Sequence, residues 1–347
     1  MKPGTRRLAI RLGLSLGVAG AFGWWLHNQG IEIVPSAGGF RTISAWAIPA
    51  YLAMLAAVHF LRAYRWTYLL RPVADVPVRK ILPVAFVGFL AILMLPLRMG
   101  ELARPFLIKR HAGVSMSAAL GTIAIERVID GLLVSLWLTV CLFGIPASRS
   151  GYIWPLRLMP LGLFVAALLF LLVFLAKGDR VIGFSERLSA RFSKKLSGTV
   201  GHVMRGFSKG LSALPNRAAF VKFLAMSIAY WAVNAAGVLL LARGCGLELG
   251  PAGAVALMGI VAVGILLPSG PGFFGNFQAA VLVALGLYAP AHAHGEVASV
   301  FIFTLYLAQV AVTLLVGLGA LALSGLSLRG IVSSGLPEVA EDYSEWA

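Results

Sequence analysis

Residues 97–130 read LRMGELARPFLIKRHAGVSMSAALGTIAIERVID and place several ionisable side chains in and beside an apolar segment. These side chains are Arg98, Glu101, Arg104, Glu126, Arg127 and Asp130. A charge inside a membrane span costs about 3 kcal/mol or more, so such residues are usually paired or functional. A helix that begins near Ser115 would carry Glu126 about 16 Å along its axis, close to the middle of a bilayer. The stretch therefore predicts a polar site at membrane depth.

Two interpretations of this site stay open. Glu126 and Asp130 are four residues apart and share a helix face, and Arg127 is placed to neutralise Asp130. In the functional interpretation, Arg98, Arg104 and Arg127 receive an anionic lipid headgroup, while the two carboxylates orient the arginines or relay a proton. In the structural interpretation, the same residues form a self-neutralised network that holds a hairpin against a span.

The composition places the chain in a membrane. It has 347 residues, of which 59% are hydrophobic and 12% charged. A soluble protein carries about 25% charged residues, so a soluble enzyme, a disordered chain and a disulfide-stapled module are excluded. The net charge is +16, but the basic residues lie between apolar segments, which indicates anionic membrane lipid rather than nucleic acid as their partner. The predicted class is an all-α polytopic membrane protein.

Charge bias decides how the apolar segments cross. The segments are 8–26, 44–61, 81–96, 118–145, 158–176, 219–242, 252–289 and 297–324. Eight plain crossings leave 13 Lys and Arg inside and 15 outside, which is no bias. If 81–96 and 252–289 instead enter and return on one side, 24 lie inside and 4 outside, as the positive-inside rule requires. Six full spans and two re-entrant helical hairpins are therefore predicted, with both termini cytoplasmic in the cytoplasmic (inner) membrane; eight plain spans remain the alternative.

This topology divides the chain into related parts. Residues 44–145 and 219–324 form two units of opposite orientation within one membrane domain, 1–336, as in alternating-access transporters. Between them, 178–217 is predicted to be an amphipathic cytoplasmic segment on the anionic inner leaflet, either one helix or two broken near Gly198 and Gly201. Residues 337–347 are predicted to be an acidic, disordered tail.

The second hairpin contains a glycine-rich turn. Its residues of interest are Pro268, Ser269, Gly270, Gly272, Gly275, Asn276 and Gln278. The spacing of Gly270, Gly272 and Gly275 imitates a dinucleotide fingerprint, but no strand precedes it and the context is a membrane segment. Backbone amides at such a turn and the following helix N-terminus can bind an anionic group. The alternative is a tight turn between half-helices with no ligand.

Other chemistry is not indicated by the sequence. His292 and His294 lack a third ligand nearby, so no metal site is predicted. A Walker loop and the hydrolase and metalloprotease motifs are absent from the sequence, so we expect neither an ATPase nor a cofactor. The expectation is that the protein is not an enzyme.

Three blocks of sequence resemble a known family. They are PLRMGELARP at 96–105, ERVIDG at 126–131 and PSGPGFFGNFQ at 268–278. In this order they resemble the membrane domain of lysylphosphatidylglycerol synthases, the flippase-like family, over about residues 8–325. The resemblance implies two membrane repeats with re-entrant helices and translocation of a polar-headed lipid between leaflets.

The function expected from this resemblance is lipid translocation without aminoacyl transfer. Aminoacyl-transferring members carry a large soluble domain after the membrane part, whereas this sequence stops at Ala347. The expected substrate is an anionic phospholipid, an aminoacyl lipid, or a polyprenyl-linked or other glycolipid. The alternatives are an intramembrane lipid-modifying enzyme, an accessory subunit that presents a lipid to a partner transferase, and a scaffold without transport.

Overall fold

The protein is built from helices joined by short connections. The computed structural model describes residues 13, 17, 20–25, 27–32, 34–95, 100–145, 154–191, 193–211, 217–267 and 271–326, and these contain no strand. Ten α-helices follow residue 46 in those ranges. They are α1 (Ala47–Leu70), α2 (Val78–Met94), α3 (Ala103–Ala112), α4 (Met116–Phe143), α5 (Trp154–Ala190), α6 (Lys194–Leu211), α7 (Arg217–Gly244), α8 (Pro251–Gly264), α9 (Asn276–Tyr288) and α10 (Glu296–Ser324).

The described helices confirm an all-α polytopic membrane protein. In the described ranges, four helices are long and apolar enough to cross a bilayer: Ala47–Leu70, Arg157–Ala190, Arg217–Gly244 and Glu296–Ser324. Helix α4 has 28 residues, also enough to cross, but Glu126, Arg127 and Asp130 interrupt its apolar character. Most of the segment predicted at 8–26, and the whole tail at 337–347, lie outside the described residues.

Two pairs of shorter helices form hairpins. The beginning of α2 and the end of α3 line one groove through Arg79 and His111, so this pair returns to the end of the bundle from which it starts. The beginning of α8 and the end of α9 likewise meet, since a Cβ on Gly253 would lie 3.1 Å from Cβ of Tyr288. Helices of 10 to 17 residues are about 15–26 Å long, shorter than the bilayer core of about 30 Å.

Helix contacts follow one pattern in both halves of the chain. In the first half, consecutive helices from α1 to α4 pack on one another, and α1 also packs on α4. In the second half, consecutive helices from α7 to α10 do the same, and α7 also packs on α10. The contacts between halves correspond in the same way: α2 packs on α10 as α8 packs on α4, and α1 packs on α7. Two buried apolar clusters surround the two hairpins, one each, and both include residues from the other half, such as Tyr51 and Leu138 in one and Phe223 in the other.

The segment between the halves departs from the predicted break. Helix α5 kinks at Lys177, and the chain leaves the helix between Ala190 and Lys194. The segment is thus two helices and not one, but the alternative that placed the break near Gly198 and Gly201 is wrong in position, because α6 runs through both residues. Glycine has no steric need to end a helix, and packing of α6 against α4 and α5 keeps this one intact.

Candidate functional site

A buried cluster of charges lies where α1, α3, α4 and α7 meet. Glu126 of α4 is fully buried, and Arg104 near the start of α3 donates two hydrogen bonds to its carboxylate, at 2.9 and 3.1 Å. The side-chain stem of Arg104 lies directly on Gly88 of α2, where any larger residue would overlap it. The bidentate pair thus fixes the first hairpin to α4, the geometry in which arginine binds a carboxylate most strongly.

Asp130 has a bidentate partner of its own. Arg65 of α1 donates to both of its carboxylate oxygens at 2.5 Å, and a third hydrogen bond runs from Arg65 to the Ser227 hydroxyl of α7 at 2.8 Å. The indole of Trp231 donates to Asp130 at 3.2 Å. Arg65 therefore ties α1, α4 and α7 together. Arg127, expected to neutralise Asp130, acts on it electrostatically, but the arginine that hydrogen-bonds to this carboxylate is Arg65.

Three guanidinium groups share the Glu126 carboxylate. Besides Arg104, Arg65 lies 3.2 Å from Glu126 Oε1 and Arg127 lies 3.8 Å from it. Arg127 is the exposed member of this set, with 29% of its side chain accessible. Glu101 lies close enough to act electrostatically on Arg127. Since the nearer arginines already satisfy Glu126, this carboxylate neutralises Arg127 only in part.

A further arginine, Arg62 of α1, enters the same region without a carboxylate. Its guanidinium carbon lies 4.4 Å from the centroid of the Phe89 ring of α2. It makes no ion pair with a carboxylate of the described ranges, and its Nε is buried without a hydrogen-bond partner. The Phe89 face stabilises this charge by about 0.5–2 kcal/mol, less than the cost of removing it from water, and Glu126 acts on it electrostatically without forming an ion pair. Among the residues that the structure describes, Arg62 and Arg127 are therefore the cations of the site that carboxylates pair least closely.

Aromatic rings surround the buried arginines. Arg65 lies over Tyr230 at 4.4 Å, and Arg104 lies over Trp66 at 5.0 Å. The Trp66 indole donates to the Thr122 hydroxyl at 3.1 Å. These rings exclude water from the ion pairs, which strengthens the electrostatic attraction within them.

Sequence reasoning missed Arg62 and Arg65. The apolar segment predicted at 44–61 ends before both arginines, because a hydropathy window treats their charges as the end of the span. Helix α1 in fact runs to Leu70, with Arg65, Trp66 and Leu69 fully buried. The available signal was helical periodicity: apolar residues continue through HFLRAYRWTYLL at 59–70 without a helix breaker.

The predicted site residues fall into two groups. Glu101, Arg104, Glu126, Arg127 and Asp130 come together around α4, whereas Arg98 lies outside the described residues. Of the two interpretations, the ion-pair network describes Arg104, Glu126 and Asp130, which are nearly inaccessible. Arg127 keeps the exposure that a ligand-binding role needs.

The glycine-rich turn is held by its own polar side chains. Gly272 and Gly275 have positive φ angles of 68° and 92°, which glycine adopts most easily. The Gln278 side chain accepts a hydrogen bond from the Gly275 amide at 2.8 Å, and Asn276 donates to the carbonyls of Gly264 and Leu267. Pro268, Ser269 and Gly270 lie outside the described residues. Asn276 and Gln278 thus fix the turn and cap the half-helices on either side of it.

The turn also meets the first hairpin. A Cβ on Gly272 would lie 2.9 Å from the Tyr306 hydroxyl and 3.8 Å from Cδ1 of Leu93, near the end of α2. The tips of the two hairpins are therefore neighbours. No group of three His, Cys, Asp or Glu side chains suited to a metal occurs in the ranges that the structure covers.

Comparison with known proteins gives a family match over most of the chain. The family described as "Lysylphosphatidylglycerol synthase TM region" matches residues 10–317. A similar curated protein is "Glycosyltransferase AglD" of Haloferax volcanii, 26% identical over 375 aligned residues that cover 97% of this chain. The chain spans only 57% of the length of that relative. No solved structure matches.

Proposed function

This chain belongs to the lysylphosphatidylglycerol synthase TM family, and from that membership we propose that it translocates a lipid with a polar or anionic headgroup between membrane leaflets. The excess of positive charge at Arg62 and Arg127 is the observation that carries the proposal. Buried cations need a counter-charge, and a membrane offers one in the phosphate of a lipid headgroup. The headgroup is the part of the lipid that resists crossing, because its charge must leave water.

In the proposed mechanism, the arginines that are paired with carboxylates have a structural role, and the arginines that carboxylates pair less closely bind the lipid headgroup. Arg65 and Arg104, locked on Asp130 and Glu126, hold α1, α3 and α4 in place. Arg127 and Arg62 then receive the phosphate, together with Arg98, which lies in the sequence between α2 and α3. Charge-assisted hydrogen bonds replace the lost water while the acyl tails stay in lipid. The glycine turn forms the opposite wall, next to the end of α2.

Alternating access would follow from the arrangement of the two halves. We interpret α1–α4 and α7–α10 as inverted repeats, and the two hairpins as re-entrant. The corresponding helix contacts support this interpretation. Repeats of this kind move against each other around a site at the middle of the membrane. The excess of basic residues on one side supports a cytoplasmic membrane location with both termini inside.

A second candidate is handling of a glycolipid by, or for, a transferase. The similar protein from Haloferax volcanii carries the name of a glycosyltransferase, which favours a glycosylated lipid as substrate. If this candidate holds, the charge cluster presents the lipid to a partner transferase. Alternatively, it modifies the lipid directly, with Glu126 or Asp130 as the acid or base. An anionic phospholipid and an aminoacyl lipid remain the competing substrates.

The test is lipid exchange in proteoliposomes. Headgroup-labelled phosphatidylglycerol, phosphatidylcholine and a polyprenyl-phosphate sugar are each reconstituted with wild-type protein, and the accessible fraction is followed after addition of a membrane-impermeant quencher. One anionic probe is expected to exchange, and Arg127→Ala is expected to slow it about tenfold or more, as loss of a charge-assisted hydrogen bond implies.

Arg243→Ala is the matched control, since Arg243 is an exposed arginine near the end of α7. It should exchange lipid at the wild-type rate. Equal rates for Arg127→Ala and wild type would contradict the proposal, as would folded wild-type protein that exchanges none of the probes. Conversion of a probe into a new lipid by purified protein would instead favour the enzymatic candidate.

A further inference from the structure

A groove with apolar walls and basic residues at one end lies on the outside of the helix bundle, away from the charge cluster. It has a volume of about 480 Å³ and lies between the beginning of α2, the end of α3 and the last turns of α10. Its volume falls within the range of about 300–1,000 Å³ typical of ligand sites. Apolar side chains form its walls, among them Leu82, Pro83 and Phe86 from α2 and Leu315 and Leu323 from α10.

The groove has a charged mouth. Arg79 and His111 line it, each within two residues of a helix end, and α10 ends close by at Ser324. Basic residues concentrate at this end, because Lys80 follows Arg79 and Lys109 and Arg110 precede His111. An apolar slot with cationic and hydrogen-bonding groups at the membrane boundary matches a molecule with an anionic head and an apolar tail.

We propose that this groove binds an anionic glycerophospholipid of the surrounding membrane as a resident ligand. Arg79 and His111 hold the phosphate, and one acyl chain lies along α2 and α10. The site goes beyond the proposed translocation, since its lining shares no residue with the charge cluster. The lipid bridges the first hairpin and the last helix of the other half, and so stabilises the contact between the two halves.

Glycine positions on α10 offer a way to fill the groove without disturbing the protein. Gly317 is packed tightly, since a Cβ there would overlap the Leu90 side chain of α2. Gly319 lines the groove, and a Cβ there would meet nothing within 4 Å. Gly319→Leu therefore places a side chain where the acyl chain lies. Gly286→Leu on α9 is the matched control, because Gly286 is exposed and also has open space.

Lipid binding is measured by native mass spectrometry of the full chain carrying Arg127→Ala, which removes one of the proposed headgroup ligands of the central cluster and so weakens binding there. Phosphatidylglycerol and phosphatidylcholine with identical acyl chains are titrated separately. We expect phosphatidylglycerol to bind about fivefold more tightly, the effect of one basic residue near an anionic lipid. Arg79→Gln with His111→Gln should remove this preference, and Gly319→Leu should weaken binding of both lipids.

The possible results distinguish a lipid bound in this groove from lipid bound elsewhere and from a second copy of the chain. Equal affinity for the two lipids in the parent protein would overturn the proposal, as would unchanged binding in Gly319→Leu. Weakening by Gly286→Leu equal to that by Gly319→Leu would also overturn it, because the effect would not belong to the groove. A lipid-free dimer that Gly319→Leu dissociates would assign the groove to a second copy of the chain. Failure of lipid exchange in proteoliposomes leaves these binding results unaffected, so the two proposals fail separately.

Discussion

Glu126 contacts two arginines whose surroundings differ. Arg104 contacts it through two short hydrogen bonds and is almost fully buried, whereas Arg127 approaches only to 3.8 Å and remains partly exposed. Breaking a buried ion pair leaves an uncompensated charge, while an exposed contact contributes little to stability. The two arginines should therefore differ sharply in what their removal does.

Substitution of Arg104 should reduce stability more than substitution of Arg127. Arg104→Gln is expected to lower the free energy of unfolding by about 3 kcal/mol, because Glu126 loses its bidentate partner. Arg127→Gln should cost less than about 1 kcal/mol while slowing lipid exchange about tenfold or more. Both effects can be measured by thermal unfolding in detergent alongside the exchange assay.

A double variant tests whether the loss comes from the unpaired charge. Arg104→Gln combined with Glu126→Gln should recover part of the lost stability, since replacing both partners of a buried pair is often nearly neutral. Equal destabilisation by Arg104→Gln and Arg127→Gln would show that burial does not distinguish the two arginines.

At the scale of elements, the contact between α4 and α6 depends on small residues. Gly206 and Gly210 of α6 face Ser117 and Gly121 of α4, and a side chain on Gly210 would overlap the Ala118 carbonyl. Small residues four apart on facing helices allow the close approach that membrane helices use in packing. The glycines that suggested a broken segment, Gly198 and Gly201, are not these contact residues, and nothing local in the sequence marks Gly206 and Gly210 as the packing surface.

Enlarging the contact glycine should separate α6 from α4. Gly210→Val is expected to lower the free energy of unfolding by about 1–3 kcal/mol, the usual cost of overpacking. Gly198→Val in the same helix is the control, because a Cβ on Gly198 meets nothing within 4 Å. Valine has the same helix propensity at both positions, so the difference between the two thermal unfolding midpoints isolates the contact. Equal midpoints would contradict this packing.

For the whole molecule, the sequence predicted where helices break better than how they pair. The segment 81–96, predicted to enter and return by itself, is a single helix as far as Met94, and its antiparallel partner is α3, Ala103–Ala112. Proline and glycine near residues 96 and 268 mark the helix breaks directly, and the count of basic residues selects a topology. The charged site could not be predicted in full, because it includes Arg62 and Arg65. Their charges lower the local hydropathy, so the predicted span ends before them, although helix α1 continues through both. Which arginine pairs with which carboxylate depends on how α1 and α7 pack on α4, and that packing leaves no local signal in sequence.

The topology itself can be tested by labelling at the two ends of each hairpin. Asp75 and Arg110 flank α2–α3, Glu248 and His294 flank α8–α9, and all four are exposed. With Cys141 and Cys245 replaced by serine, single cysteines at the first two positions should react with a membrane-impermeant maleimide from the cytoplasmic side. Cysteines at the other two positions should react only from the opposite side. In eight plain crossings each hairpin becomes one continuous crossing, so the two positions of each pair would label from different sides. That result would exclude re-entrant hairpins and, with them, the inverted repeats, because the two halves would no longer have opposite orientations.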